Sequence, residues 1–148
     1  IVIDYDLSRA ERALPEWQAT LDALQALPEI GAEAPIGYGG MTLGVVTGLM
    51  WAAVEPRISA LSLLAVFVSD PLIEAARNVT VPVEYQIPWD DEEFDRAAGI
   101  ALFDAFASEE KTLHAYSGRY YPVPEHLRDS SAQFFARHLG RAADTSLN

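Results

Sequence analysis

At 148 residues, half of them apolar, the chain is sized for one domain (residues 1–148) around one core. Ten Lys and Arg face 22 Asp and Glu, a formal charge of −12 that repels phosphate backbones and argues against nucleic acid as a partner. The acids are spread along the chain rather than gathered in a tail, as expected of solvated helix faces. No apolar run approaches the roughly 20 residues that cross a bilayer, and no basic-then-apolar leader opens the chain, so no membrane association is expected. The absence of cysteine removes disulfides, thiolate nucleophiles and Cys-ligated zinc, and favours a cytoplasmic setting. The first residue is isoleucine rather than methionine, so a fragment, a processed form and the ordered part of something longer all fit.

Residues 1–4 (Ile-Val-Ile-Asp) form a β-branched run that predicts a short strand. Leu14, Trp17, Leu21, Leu24 and Leu27 then recur at steps of three and four. That spacing predicts an amphipathic helix with Pro15 in its first turn and Pro28 as its stop. A short strand is expected over residues 35–38, running into the glycine-rich stretch Gly37-Tyr38-Gly39-Gly40-Met41-Thr42-Leu43-Gly44. An apolar helix over 43–54 follows, its Gly44 and Gly48 allowing close approach to a sheet. Residues 58–68 are almost continuously apolar, as in a parallel strand buried on both faces. A short helix (71–77) and a strand (79–87) come next, then a helix (92–107) burying Phe94, Ile100, Leu102, Phe103 and Phe106. The last strand (111–116) leads through a loop (117–124) to a closing helix (125–139) with Leu127, Phe134, Phe135 and Leu139, and the tail from Gly140 is expected to fray. Strand and helix alternate throughout. The expectation is an α/β fold, a mostly parallel sheet with helices on both faces. In such sheets the site lies beyond the carboxyl ends of the strands, where the glycine-rich turn, Trp89-Asp90-Asp91 and the 117–124 loop are expected to converge.

Read from Gly40, the turn is Gly-x-Thr-x-Gly, which resembles the Gly-x-Ser-x-Gly nucleophile elbow of α/β-hydrolases. Gly-Tyr-x-Gly-x-Thr-x-Gly is joined by Val-Pro-Val followed by Trp-Asp-Asp-Glu, and by Leu-Phe-Asp-Ala-Phe leading to Lys-Thr-Leu-His-Ala. Together these pieces, spread between about Pro15 and Gly140, are similar to the dienelactone-hydrolase-like branch of that superfamily. The resemblance implies an α/β-hydrolase fold truncated at its N-terminal side. It also implies a site whose nucleophile, acid and histidine come in that chain order. By position the nucleophile is Thr42 and the acid Asp91, with Asp90 as the alternative; Asp90 also reads as a helix cap completed by Glu93. The backbone N–H of Leu43 is the implied oxyanion donor, and a second is sought in Tyr5-Asp6-Leu7, whose carboxylate opposes an oxyanion. In Gly118-Arg119-Tyr120-Tyr121-Pro122-Val123-Pro124, Tyr120 stands where the family carries histidine. His114, in the last strand, His126, opening the closing helix, and His138, near its end, read as structural or surface residues. His126 is the best placed of the three to substitute.

Both departures weaken acyl transfer. A phenol of pKa about 10 does not take a hydroxyl proton at neutral pH as imidazole does. Loss of a triad histidine costs on the order of 10⁶ in kcat in a serine protease, or about 8 kcal/mol of barrier. The β-methyl of Thr42 adds crowding at a tight turn. Two readings follow. One is an enzyme of small ester- or lactone-like molecules with a Thr42/Asp91/Tyr120 site, suited to weak hydrolysis, isomerisation or cyclisation, its pocket lined by Tyr38, Met41, Trp89 and Tyr121. The other is an inactive homologue serving as a binding or assembly subunit. Neither needs a cofactor, and the consecutive acids at 90–93 cannot all face one metal ion, so no metal site is expected. A truncated sheet leaves an edge open, which predicts a homodimer or a partner chain on that side.

Overall fold

The computed structural model describes residues 2–140; the expected fraying from 141 onward lies outside them. The elements in order are α1 (Val2–Gln25), β1 (Ile36–Met41), α2 (Leu43–Ala52), β2 (Ile58–Leu64), α3 (Asp70–Ala76), β3 (Val83–Pro88), α4 (Arg96–Ala105), β4 (Lys111–Tyr116) and α5 (Glu125–Leu139). The four strands form one parallel sheet in the order β1-β2-β3-β4, so each crossover runs through a helix.

Side-chain alternation assigns the two faces. Tyr38, Leu61, Leu63, Val83, Tyr85 and Ile87 enter a core shared with α1 to α4. Ser62, Glu84 and Gln86 point the other way, to hydroxyls on α5. Gly48 lets α2 lie close: a Cβ there would collide with the Tyr38 ring.

Several boundaries depart from the sequence expectation, among them the start of β3, at Val83 rather than 79. The start of the chain is helical rather than a strand, and α1 runs on through Pro15, which is neither its start nor its break. The stripe Leu7, Ala10, Leu14, Trp17 already has helical spacing, and Leu7, Ala10 and Leu14 pack in the core, so burial of that face outweighs the proline and the β-branched start. At its far end α1 stops at Gln25, short of Leu27 and Pro28, and Trp17, Leu24 and Leu27 of the expected stripe are exposed. The apolar run from Ile58 stops as strand at Leu64, because Ala65 turns to φ 46 and ends the ladder. Finally, α4 starts at Arg96 instead of 92, capped by Asp95, whose Oδ1 accepts the N–H groups of Ala97 (2.8 Å) and Ala98 (3.3 Å). The expected Asp90–Glu93 capping box is therefore not what starts this helix.

Candidate functional site

β1 passes into α2 through a single residue, Thr42, held at φ 48 and ψ −108. That backbone region is foreign to a β-branched residue and costs on the order of 1–3 kcal/mol. The turn is over-determined. A Cβ on Gly40 would fall 2.6 Å from the Gly44 carbonyl oxygen, and the Tyr38 hydroxyl donates to that same carbonyl at 2.8 Å. The Thr42 N–H is shared between the carbonyls of Leu64 (3.1 Å) and Ala65 (3.0 Å) at the end of β2. Leu43 opens α2, so its N–H is one of the four that no helix carbonyl accepts.

The other two loops are tied to each other. Asp91 Oδ2 accepts the Tyr120 N–H at 2.8 Å, while Oδ1 accepts the N–H groups of Glu93 (2.8 Å) and Phe94 (3.3 Å). These backbone donors, that of Tyr120 foremost, hold the Asp91 carboxyl below its usual range. Asp90 Oδ2 accepts from Gly118 N–H at 2.8 Å, so the neighbouring carboxylates brace the same loop at two points. The Tyr116 hydroxyl donates to the Tyr120 carbonyl at 3.2 Å, and burial pushes that phenol up to about 12.

Thr42 stands apart from this pair. It lines a hollow of about 20 Å³ with Asp6, Leu7, Val66, Phe67 and Leu72. Phe67 stacks on Phe94 at 4.8 Å, and Phe94 tilts against Tyr120 at 5.4 Å, so a row of three rings joins the hollow to the loop. Among the described residues, no hydrogen bond joins Thr42 to Asp91 or Tyr120. Tyr5, Asp6 and Leu7 lie inside α1 rather than in a loop. Asp6 and Leu7 are past the first four residues, so their N–H groups belong to the helix ladder and offer no second oxyanion donor.

A cavity of about 770 Å³ opens on the α5 side of the sheet. Met41 and Tyr121 line it with Leu64, Val123, Leu127 and Arg128. Tyr38 faces the opposite side, edge-on to Trp51 at 5.8 Å, and its burial raises the phenol pKa. Trp89 is partly exposed beneath the Arg96 guanidinium, 4.8 Å from its ring centre. The four aromatic and thioether residues assigned to one pocket thus divide among three places.

Of the histidines, His114 Nε2 lies 3.1 Å from Glu84 Oε1, and His138 Nε2 lies 3.1 Å from Glu110 Oε1. His126 is exposed in the first turn of α5. Among the described residues, no group of three or more His, Asp or Glu is placed to hold a metal ion, and no helix is long and apolar enough to cross a membrane. Sequence reasoning missed a buried polar cluster under α5. Glu84 gathers the hydroxyls of Ser62, Ser130 and Ser131 at 2.6–2.8 Å. The signal was available: Glu84 and Gln86 alternate on one face of a strand otherwise read as buried.

With this geometry in place, known structures can be compared. A zinc-bound cold-adapted esterase from an Arctic intertidal metagenomic library superposes with a TM-score of 0.80 at 28% identity, covering 88% of this chain and 59% of the esterase. The chain has the α/β-hydrolase fold. A monoacylglycerol lipase of Paleococcus ferrophilus (TM-score 0.70, 11% identity, 87% of this chain and 76% of the lipase) shares that fold. So does acetyl xylan esterase 1 of Thermoanaerobacterium sp. JW/SL YS485 (0.68, 17%, 80% and 50%). The chain therefore spans about three fifths of the length of the esterase it matches. No protein-family model matches the sequence, and no curated protein matches it either.

Proposed function

We propose that this chain is a hydrolase-fold protein that takes a small ester- or lactone-like, carbonyl-bearing molecule at the β1–α2 turn and turns it over weakly. The observation that carries this reading is the backbone of Thr42, held at φ 48 beside the open N–H of Leu43. A carbonyl oxygen seated at that N–H meets the positive end of α2, and the Thr42 hydroxyl is the adjacent nucleophile. Asp91 holds the loop carrying Tyr120, the position at which the dienelactone-hydrolase-like pattern carries its histidine. With a phenol there, proton removal from Thr42 is slow, which suits weak hydrolysis, isomerisation or cyclisation better than rapid acyl transfer. No cofactor enters this reading, and the cytoplasm is the setting it assumes.

The test is a fluorophosphonate probe with p-nitrophenyl butyrate turnover as a second readout. Slow labelling that Thr42→Ala abolishes supports the reading. Absence of both labelling and turnover, with the fold intact by circular dichroism, refutes it. A second reading, a binding or assembly subunit without turnover, is favoured by the separation of Thr42 from Asp91 and Tyr120, which no hydrogen bond joins among the described residues. Esterase activity emerging in Tyr120→His would place the deficit in the base alone.

A further inference from the structure

Residues from three elements meet in the hollow at Thr42: Leu43 at the start of α2, Asp6 on α1, and Phe67 in the segment after β2. At about 20 Å³ the hollow has room for one water-sized group, so the rest of any molecule reacting there lies against its rim. Phe67 is 47% exposed although one of its faces stacks on Phe94, with 29° between the planes, so its other face is open. Asp6 is half-buried and has no hydrogen bond or ion pair among the described residues. Arg9, farther along α1, lies over the Tyr5 ring instead, 5.6 Å from its centre. Packing of Leu7 and Ala10 in the core fixes where Asp6 stands. A carboxylate without a counter-charge in the same hollow as Leu43 opposes an oxyanion at the Leu43 N–H. An open phenyl face attracts either a flat apolar ring or a cation. The carboxylate beside it decides for the cation, and the formal charge of −12 draws cations to the surface as a whole.

We propose that the rim of this hollow is a subsite for an alkylammonium group, with Asp6 as counter-charge and the open face of Phe67 as π partner. The ester taken at Thr42 then carries a quaternary or protonated amine. Such a substrate brings the positive charge that Asp6 lacks, and so relieves the repulsion between Asp6 and an oxyanion at Leu43. A neutral aryl ester meets Phe67 alone and leaves Asp6 uncompensated, and an anionic ester is repelled. The assignment to an ester rests on the reading of Thr42 above; the ammonium subsite itself does not.

Choline and its uncharged isostere 3,3-dimethylbutanol separate charge from shape. Each is titrated into the full chain at low ionic strength and followed by the amide NMR signals of Asp6 and Phe67, in spectra that also report whether each variant is folded. Choline should bind about tenfold more tightly, the carboxylate and the ring contributing about threefold each. Asp6→Asn and Phe67→Leu should each shrink that ratio about threefold, and added salt should shrink it in the wild type. Equal affinities, tighter binding of the neutral alcohol, or a ratio that Asp6→Asn leaves unchanged overturns the subsite. The ester assignment is read from kcat/KM for acetylthiocholine against S-(3,3-dimethylbutyl) thioacetate, with thiol release followed by a disulfide reagent that a chain without cysteine leaves untouched. The charged ester should be preferred by a similar factor, and equal values overturn that assignment. Choline preference without turnover or Thr42 labelling refutes the hydrolysis reading and the ester assignment while the subsite stands. Thr42 labelling without choline preference refutes the subsite alone.

Discussion

Replacing Glu84 by alanine tests whether one buried carboxylate fastens α5 to the sheet. Glu84 is 1% exposed. Its Oε1 accepts from Ser130 Oγ at 2.6 Å, and its Oε2 accepts from Ser131 Oγ at 2.7 Å and Ser62 Oγ at 2.8 Å. Burial alone would raise the carboxyl's pKa; the three hydroxyls, with a smaller contribution from His114, outweigh it and leave the group below its ordinary range. Hydrogen bonds to a charged acceptor contribute about 1.5–3 kcal/mol each, so three set a ceiling of about 5–9 kcal/mol. Returning the carboxylate to water recovers several kcal/mol of that. The stranded hydroxyls retain partial partners, since Ser62 Oγ also donates to Ser131 Oγ at 3.0 Å and Gln86 Nε2 donates to the same Ser131 oxygen at 2.8 Å. The expected loss is about 3 kcal/mol by urea denaturation, read as a lower midpoint at constant slope. The sign with pH follows from the depressed value. The contribution is full above the unfolded carboxyl pKa near 4.3 and is lost as pH falls through the lower folded value. Glu84→Gln should flatten that acid limb. A loss under about 0.5 kcal/mol in Glu84→Ala would show that the cluster does not fasten the helix.

Thr42→Gly should raise stability by about 1 kcal/mol, measured by urea midpoint, because glycine adopts φ 48 without strain; unchanged or lower stability contradicts the strain argument. Arg57 donates to Glu55 through Nε (2.7 Å) and Nη2 (2.8 Å) and to Asp22 on α1 through Nη1 (2.6 Å). Arg57→Gln leaves the Glu55 carboxylate, itself 4% exposed, without its guanidinium and should lower the urea midpoint at neutral pH. The Glu55 carboxyl is lowered to about 2, first by the Arg57 side-chain bonds, so stability is held above about pH 4.3 and drains as pH falls towards 2. An acid denaturation curve unchanged by Arg57→Gln would refute that assignment. Gly48→Ala should cost about 1–3 kcal/mol and shift tyrosine fluorescence, since the added methyl meets the Tyr38 ring.

The fold was legible wherever the pattern was local and the driving force was burial. The helix–strand alternation, β4 and α5 can be read directly from residue spacing, and the glycine turn announced Thr42 as the junction of β1 and α2. The start of α1 is hidden by β-branching at residues 1–4, a local signal for strand that the helical stripe from Leu7 onward outweighs. The Ala65 turn was hidden inside an apolar run, where hydropathy carries no record of φ. The site was legible by position and illegible by distance. Spacing brought Asp91 to Tyr120, because adjacent parallel strands end at the same level, as the pairing of Pro88 with Tyr116 shows. It did not reveal that Phe67 and Phe94 form a ring stack in the row between that loop and the hollow at Thr42. Glu84 was missed because a buried carboxylate is recognised by its partners, and those lie 22 to 47 residues away in sequence.

Strain at Thr42 alone does not separate a nucleophile from a fold requirement. β1 and α2 are joined by one residue, and a junction that short demands a positive φ from whatever residue occupies it. A glycine would meet the demand without cost, so the threonine is informative: a hydroxyl is kept where backbone energetics favour its loss. Asp91 points the other way. Its two oxygens are engaged by three backbone N–H groups, so its visible work is to fix the 117–124 loop rather than to orient a base. An ionised carboxylate braced beside position 120 is nevertheless what an imidazole there would need for its tautomer and its positive charge. On the proposed reading, the strained hydroxyl and the braced acid are the two supports of a proton transfer, and Tyr120 is the group that would have to stand between them.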